Sequence, residues 1–341
     1  MMSVLPSRYN MDNLKDALHN PQMIIKELKR WPIRASNVVI QQLILKNLFR
    51  YRYGPGIDIM DQDWDNLIVL DACRYPEFEQ HCKLEGDLRS VISKGSTSRE
   101  WINKNFINRE FHDTVYVGGN PHMEKFTNEF YHVRKSYSKS GVDEEYNMAS
   151  GSISGWRPES VYEAASEAIG RFPNKRLIIH FMQPHDPYIG PKADELREAI
   201  GTEEDVSFKK RNEMDGTRID RGEVLGSLRQ AAQRGYISQE ELFEAYNENL
   251  NIVLEYVEEL LFELNGKTVV TSDHGELLGA GKFTSNKYGH PINVWQSELR
   301  IVPWLEINDS NRREIYSEDP IGVEEADEVV VEDNLEALGY K

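Results

Sequence analysis

The chain has 341 residues and a net charge of −17, with 39% hydrophobic and 10% aromatic side chains, enough to bury a sizeable core and exclude global disorder. So large an excess of carboxylates argues against a general nucleic-acid binder, because a phosphate backbone would be repelled. Cys73 and Cys82 are the only cysteines; they give no disulfide framework and read as reduced intracellular thiols.

The N-terminus, MMSVLPSRYNMDNLKD, has no apolar leader region, and no run of ~18 apolar residues occurs in the chain. Secretion and membrane spanning are both disfavoured, and a cytoplasmic location is expected. Residues 30–56, RWPIRASNVVIQQLILKNLFRYRYGPG, are amphipathic with basic ends. They read as a helix packed across the main domain, or as a peripheral contact with the inner face of a membrane.

Next come short runs rich in Val and Ile: NLIVLD (66–71), DTVYVGG (113–119), RLIIHFMQ (176–183), KTVVTSD (267–273) and LRIVPWLEI (299–307). They are continuously apolar, as strands covered on both faces are. Helical patterns alternate with them, as in PESVYEAASEAIGRF (158–172) and the long 238–264 segment, which opens with Ser238 and Glu241 at capping-box spacing. Such alternation predicts an α/β fold with a mostly parallel central sheet and helices on both faces. Residues 192–236 are polar and charged and read as an insertion near the mouth of the sheet. The tail is acidic and closes with VVVEDNLEALGYK. The expected organisation is an N-terminal helical extension over 1–60 and one catalytic domain over 61–341.

In open parallel sheets functional groups collect beyond the carboxyl ends of the strands. Three predicted strands end in such groups: the first at Asp71, the third in Gln183-Pro184-His185-Asp186-Pro187-Tyr188, the fourth in Ser272-Asp273-His274-Gly275-Glu276. A carboxylate beside an imidazole, turned by Gly275, suits a divalent cation. The stretch SKGSTSREW adds hydroxyls beside Lys94 and Arg99 at a helix start. Thr97 there is either a helix cap or a cation-activated nucleophile. Cys73 reads as a small packed hydrophobe rather than a nucleophile. Arg74 reads as an anion contact or as the partner of an acidic neighbour, and His180 as a satisfied core histidine.

The ordered set of Asp71, the helix-start hydroxyl, PHDPY (184–188), SDHGELLG (272–279), Gly289-His290, ELRIVPWLEI (298–307) and LEALGY (335–340) resembles the alkaline phosphatase superfamily in its sulfatase-like branch. The resemblance spans residues 64–340 and implies an alkaline-phosphatase-like fold. It implies a divalent metal (Mn²⁺, Zn²⁺, Mg²⁺ or Ca²⁺) held by Asp71, Thr97, Asp273 and His274. Thr97 would attack the phosphorus or sulfur of an ester, with His185 or His290 assisting the leaving group and Arg74, Lys94 and Arg99 holding the anion. Neither Ser96 nor Cys73 is followed by the x-Pro-x-Arg of formylglycine sulfatases, which argues against that cofactor. TSREW is similar to the threonine segment of lipoteichoic-acid synthase-like phosphotransferases. The expected function is therefore a metal-dependent hydrolase or transferase of phosphate or sulfate esters on a small molecule, glycan or lipid. The alternatives are a phosphoglycerol- or phosphoethanolamine-type transferase and a catalytically silent member.

Overall fold

The computed structural model describes residues 45–126, 128–136, 157–201, 206–208, 223–225, 227–281, 287–308 and 311–324. The chain divides into two units, Met1–Arg52 and Tyr53–Lys341. Helix α1 (Lys46–Tyr53), all but its last residue in the first unit, exposes Leu48 and Tyr51, the latter at 93%. The rest of the amphipathic stretch up to residue 44, the insertion core at 209–222 and the LEALGY segment lie outside the described residues. Among the described residues no helix is long and apolar enough to cross a membrane.

The second unit is built on strands β1 (Asn66–Leu70), β2 (Asp87–Ile92), β3 (Phe111–Gly118), β4 (Phe130–Lys135), β5 (Arg176–Phe181), β8 (Thr268–Thr271), β9 (Ile301–Ile307) and β10 (Gly322–Glu324), which form one sheet. Their order is β10-β4-β3-β5-β1-β8-β9-β2, and only β9 runs against the others. All five predicted strands are present. The structure adds β2, β4 and β10, and it turns the predicted fifth strand antiparallel. β2 escapes an apolar-run search because it is an edge strand whose first four residues are largely exposed.

Between these strands lie helices α2 (Tyr75–His81), α3 (Ser98–Phe106), α4 (Pro158–Arg171), α5 (Pro191–Gly201), α6 (Leu228–Arg234), α7 (Gln239–Glu263) and the short α8 (Ser297–Arg300). Ser238 and Glu241 close the predicted capping box at the start of α7. Side-chain alternation gives the sheet two covered faces. On one, Ile68, Leu70, Leu177, Ile179 and Val270 pack with α4 and α7 through Val161, Ala165, Leu250 and Val257. On the other, Leu67, Val69, Ile178 and Val269 pack with Trp101, Ile102 and Phe106 of α3. Each such fully buried aliphatic side chain contributes roughly 1.5–3 kcal/mol, so both helical layers are anchored by the same strands. The insertion supplies α5, the small parallel pair β6 (Val206–Phe208) and β7 (Glu223–Leu225), and α6. Its Leu196, Leu225 and Leu228 share a third cluster with Leu242 and Tyr246 of α7.

Candidate functional site

The parity that sorts the two faces also places the site. On β1, Leu67 and Val69 face α3, and the next residue of that parity is Asp71. On β8, Val269 leads by the same rule to Asp273, and on β5, Ile178 leads to His180. The three strands are neighbours in the order β5-β1-β8, so the three side chains meet under the start of α3. All are fully buried or nearly so, at 1%, 0% and 0% exposure. One donor atom from each lies within 4.8 Å of those of the other two. Asp71 Oδ1, Asp273 Oδ2 and His180 Nε2 have no hydrogen-bond partner.

His180 therefore differs from the satisfied core histidine expected from its apolar strand. Its Nδ1 lies 2.8 Å from Tyr116 Oη. Its Nε2 is 3.9 Å from Asp71 Oδ2 and 4.0 Å from Asp273 Oδ2, too far for hydrogen bonds.

The turn after β8 orients the next ligand candidate. Asp273 Oδ1 accepts the backbone N–H groups of Ala72 (3.1 Å) and His274 (2.8 Å), which leaves Oδ2 for the pocket. His274 Nδ1 is 2.8 Å from the carbonyl of Gly275 and so carries the proton. That leaves the lone pair of Nε2 facing Asp71 Oδ1 and Asp273 Oδ2, each 3.5 Å away. Gly275 is required by close approach, since a Cβ there would lie 2.1 Å from the carbonyl oxygen of Glu298.

At the start of α3 the two hydroxyls separate. Thr97 is the N-cap, its Oγ1 accepting the Glu100 N–H at 3.1 Å, as the cap reading of the sequence expected. Ser98, one residue on, donates from Oγ to Asp71 Oδ2 (3.0 Å) and lies 3.2 Å from His274 Nε2. Of the two hydroxyls it is therefore that of Ser98, not of Thr97, that reaches Asp71 and His274, because the helix turns the first residue after the cap toward the sheet. Glu100 locks this turn. It pairs with the buried Arg300 at 2.9 and 3.1 Å and accepts the Ser96 N–H at 2.9 Å.

A second cluster adjoins the first. Leu277 N–H bonds to Gly289 O (3.1 Å) and Gly279 N–H to Lys287 O (2.9 Å). This pairing brings His290 Nδ1 to 3.0 Å from Glu276 Oε2. The His290 ring lies 4.8 Å from that of His185 and 4.6 Å from that of His274. His185, Glu276 and His290 offer ligand atoms within 4.8 Å of one another. Arg229 of the insertion stands 3.7 Å from Glu276. Sequence reasoning found both histidines but gave Glu276 no role, although it lies in the SDHGELLG stretch.

Burial, and then the charge of Asp273, push the Asp71 carboxyl well above the usual carboxylate range. Burial holds the His180 imidazole down to about 4 and the His185 imidazole down to about 3, His290 adding to the latter. Burial alone would raise Glu276, but His290 and Arg229 outweigh it and hold its carboxyl well below its ordinary value. Two buried carboxylates with unpartnered oxygens, beside neutral imidazoles, form a donor set that fits a divalent cation.

Of the expected anion contacts, Lys94 and Arg74 are held by carboxylates. Lys94 is bonded to Asp58, which Arg109 also holds. Arg74 pairs with Glu77 at 2.9 Å and stacks on Phe243, which is the acidic-neighbour reading. Arg99 is exposed and near enough to His122 to help burial lower its imidazole pKa. Cys73 is fully buried in the α4/α7 face, where burial pushes its thiol well up, as expected of a packing residue.

No family model and no curated protein matches the chain. Among solved structures it is similar to the C-terminal periplasmic domain of EcEptC from Escherichia coli in complex with Zn, at 13% identity and a TM-score of 0.41 over 76% of this chain and 77% of that one. It is also similar to a putative sulfatase from Bacteroides thetaiotaomicron, at 11% identity and a TM-score of 0.42 over 75% and 66% of the two chains. A protein in the alkaline phosphatase superfamily from Vibrio parahaemolyticus overlaps at 14% identity and a TM-score of 0.38, over 79% and 69%. Overlaps of this depth carry no argument about chemistry, which rests on the side chains at the carboxyl edge of the sheet.

Proposed function

We propose that the protein is a metal-dependent hydrolase or transferase of phosphate or sulfate esters, with Ser98 as nucleophile. The observation that carries this reading is the place of Ser98 Oγ, within hydrogen-bond reach of both Asp71 Oδ2 and His274 Nε2. Asp71, Asp273 and His274 would hold the cation. Bound there, the cation supplies positive charge against the charge that builds on the transferred group.

Ser98 Oγ forms the new bond to phosphorus or sulfur while its proton passes to Asp71 Oδ2, already its hydrogen-bond acceptor. The ester oxygen leaves with a proton delivered by His290, whose ring Glu276 fixes through Nδ1, with the His185 ring, kept neutral by burial, packed beside it. Water or a second alcohol then releases the group from Ser98, which separates hydrolase from transferase. Thr97 keeps the first turn of α3 in place. Lacking the formylglycine motif, the chain uses the hydroxyl as encoded.

The test is turnover of phosphate mono- and diesters and sulfate esters with Mn²⁺, Zn²⁺, Mg²⁺ and Ca²⁺ each added back. Ser98→Ala should lose at least about 1,000-fold in kcat, while Thr97→Ala loses about 1 kcal/mol of stability with its cap and keeps most activity. An active Ser98→Ala with an inert Thr97→Ala would return the role to Thr97.

A second reading, transfer at a membrane surface, is favoured by α1, where Leu48 and Tyr51 are exposed beside Arg50 and Arg52. A transferase at the inner face of an anionic membrane would lose vesicle binding, and activity on lipid esters but not on soluble ones, when residues 1–52 are removed.

A further inference from the structure

His180 has no place in the ligand set that the sequence resemblance implies, yet its surroundings are those of a ligand. The ring is fully buried, and the other residues of β5 from Leu177 to Phe181 are apolar. An imidazole there with one unpartnered nitrogen carries a desolvation cost that a leucine would not. Tyr116 Oη occupies Nδ1 at 2.8 Å. With Nδ1–H donated to that oxygen, Nε2 keeps its lone pair, the outer-partner arrangement by which histidine ligands are oriented. The edges of Trp101 and Tyr116, with ring centroids 5.9 and 6.0 Å away, hold the plane of the ring.

The distances around Nε2 decide between a core role and a ligand role. At 3.9 Å from Asp71 Oδ2 and 4.0 Å from Asp273 Oδ2, it is too far to donate to either carboxylate. Bonds of about 2.0–2.2 Å to one ion leave two donors no more than about 4.4 Å apart, and both separations fall inside that limit. We propose that His180 Nε2 is a direct ligand of the divalent cation. This rests on the metal-centre reading above and makes the site one of two imidazoles, His180 and His274, with the carboxylates of Asp71 and Asp273 and the Ser98 hydroxyl. A second imidazole favours Zn²⁺ and similar transition metals over Mg²⁺ and Ca²⁺, which prefer oxygen.

The experiment is equilibrium titration of the chelator-treated full chain with Zn²⁺ and with Mg²⁺, and with Co²⁺ followed by its visible absorption. The step that belongs to this pocket is the one that Asp71→Asn removes, which separates it from binding at His185, Glu276 and His290. His180→Leu should weaken that Zn²⁺ step at least about 100-fold, change Mg²⁺ binding much less and alter the Co²⁺ spectrum. Tyr116→Phe should weaken Zn²⁺ by about 10-fold. The metal-free urea midpoint of His180→Leu should match or exceed wild type, because an unpartnered nitrogen is gone. Should that variant not fold, His180→Gln is held to the same Zn²⁺ criterion. Wild-type Zn²⁺ affinity and an unchanged Co²⁺ spectrum in a folded His180 variant would overturn the assignment and leave the metal centre standing. No Zn²⁺ step in the wild type would overturn both.

Discussion

Strand β1 is five residues long and is flanked by two buried aspartates, Asp65 before it and Asp71 after it, 2% and 1% exposed. Asp65 is fully answered. It accepts the Lys267 N–H at 2.8 Å and Arg312 at 2.6 and 3.2 Å. Asp71 accepts Ser98 Oγ at 3.0 Å and Asn120 Nδ2 at 3.4 Å, and its Oδ1 accepts nothing. Arg312 gives the amino edge its positive charge, whereas the carboxyl edge sets Asp71 against a second carboxylate. A buried carboxylate with its own guanidinium holds the fold together; one facing another carboxylate is arranged for a cation from outside.

The sharpest way to break that comparison is to neutralise each aspartate in turn. Asp71→Asn should cut turnover at least about 1,000-fold and leave the metal-free protein as stable as wild type or more so, because the repulsion from Asp273 is removed. Asp65→Asn should do the reverse, keeping turnover and losing about 2 kcal/mol in urea unfolding, since Arg312 loses the buried one of its two carboxylate partners and keeps only Asp63. Metal at about 100 times its Kd should stabilise the wild type and Asp65→Asn by about 2.7 kcal/mol and Asp71→Asn hardly at all. Equal stability losses in the two variants would show that the edges do not differ in kind.

This contrast explains what could be read from the sequence and what could not. Asp71, Asp273 and His274 were legible as candidates because they stand at or just beyond the ends of apolar runs, and strand ends of one sheet converge. His185 and His290 were legible as parts of spaced motifs. His180 was hidden by its apolar neighbours, although strand parity carries the signal: it shares the face of Ile178, as Asp71 shares that of Val69. Ser98 was hidden because two adjacent hydroxyls differ only in which one the helix cap consumes. Lys94 and Arg74 look like anion contacts in sequence because their acidic partners, Asp58 and Glu77, do not announce which lysine or arginine they will take.

Glu100 sharpens the same point at a smaller scale, being a paired carboxylate inside the site region. Burial would raise it, but Arg300 and Lys104 hold it down to about 2. Because its folded pKa lies below the ordinary 4.5, its stabilisation is present above that value and is lost as the pH falls through about 2. The shift corresponds to about 3 kcal/mol at most. In Glu100→Gln, wild-type and variant unfolding curves should differ most at neutral pH and converge between about pH 4.5 and 2. A constant gap across that range would remove the ion pair from the account of how the Ser98 turn is held.

The smallest expected effect concerns the residue that turns the chain away from Asp71. Ala72 is fully buried with φ of 61°, in the left-handed region, which costs an L residue roughly 1–2 kcal/mol. Its N–H holds Asp273 Oδ1 and its carbonyl accepts Tyr246 Oη at 2.9 Å, so the strained peptide aims both carboxylates. Ala72→Gly relieves the strain but adds freedom to the unfolded chain, and the two should cancel to within about 0.5 kcal/mol. Ala72→Val keeps the strain, adds β-branching and has no exposed surface to expand into, so it should lose at least about 2 kcal/mol. If the turn matters only to folding, metal affinity will be unchanged in Ala72→Gly. If it aims Asp71 and Asp273, the freer glycine will bind Zn²⁺ slightly more weakly at unchanged stability, and the titration that resolves His180 has the precision to show it.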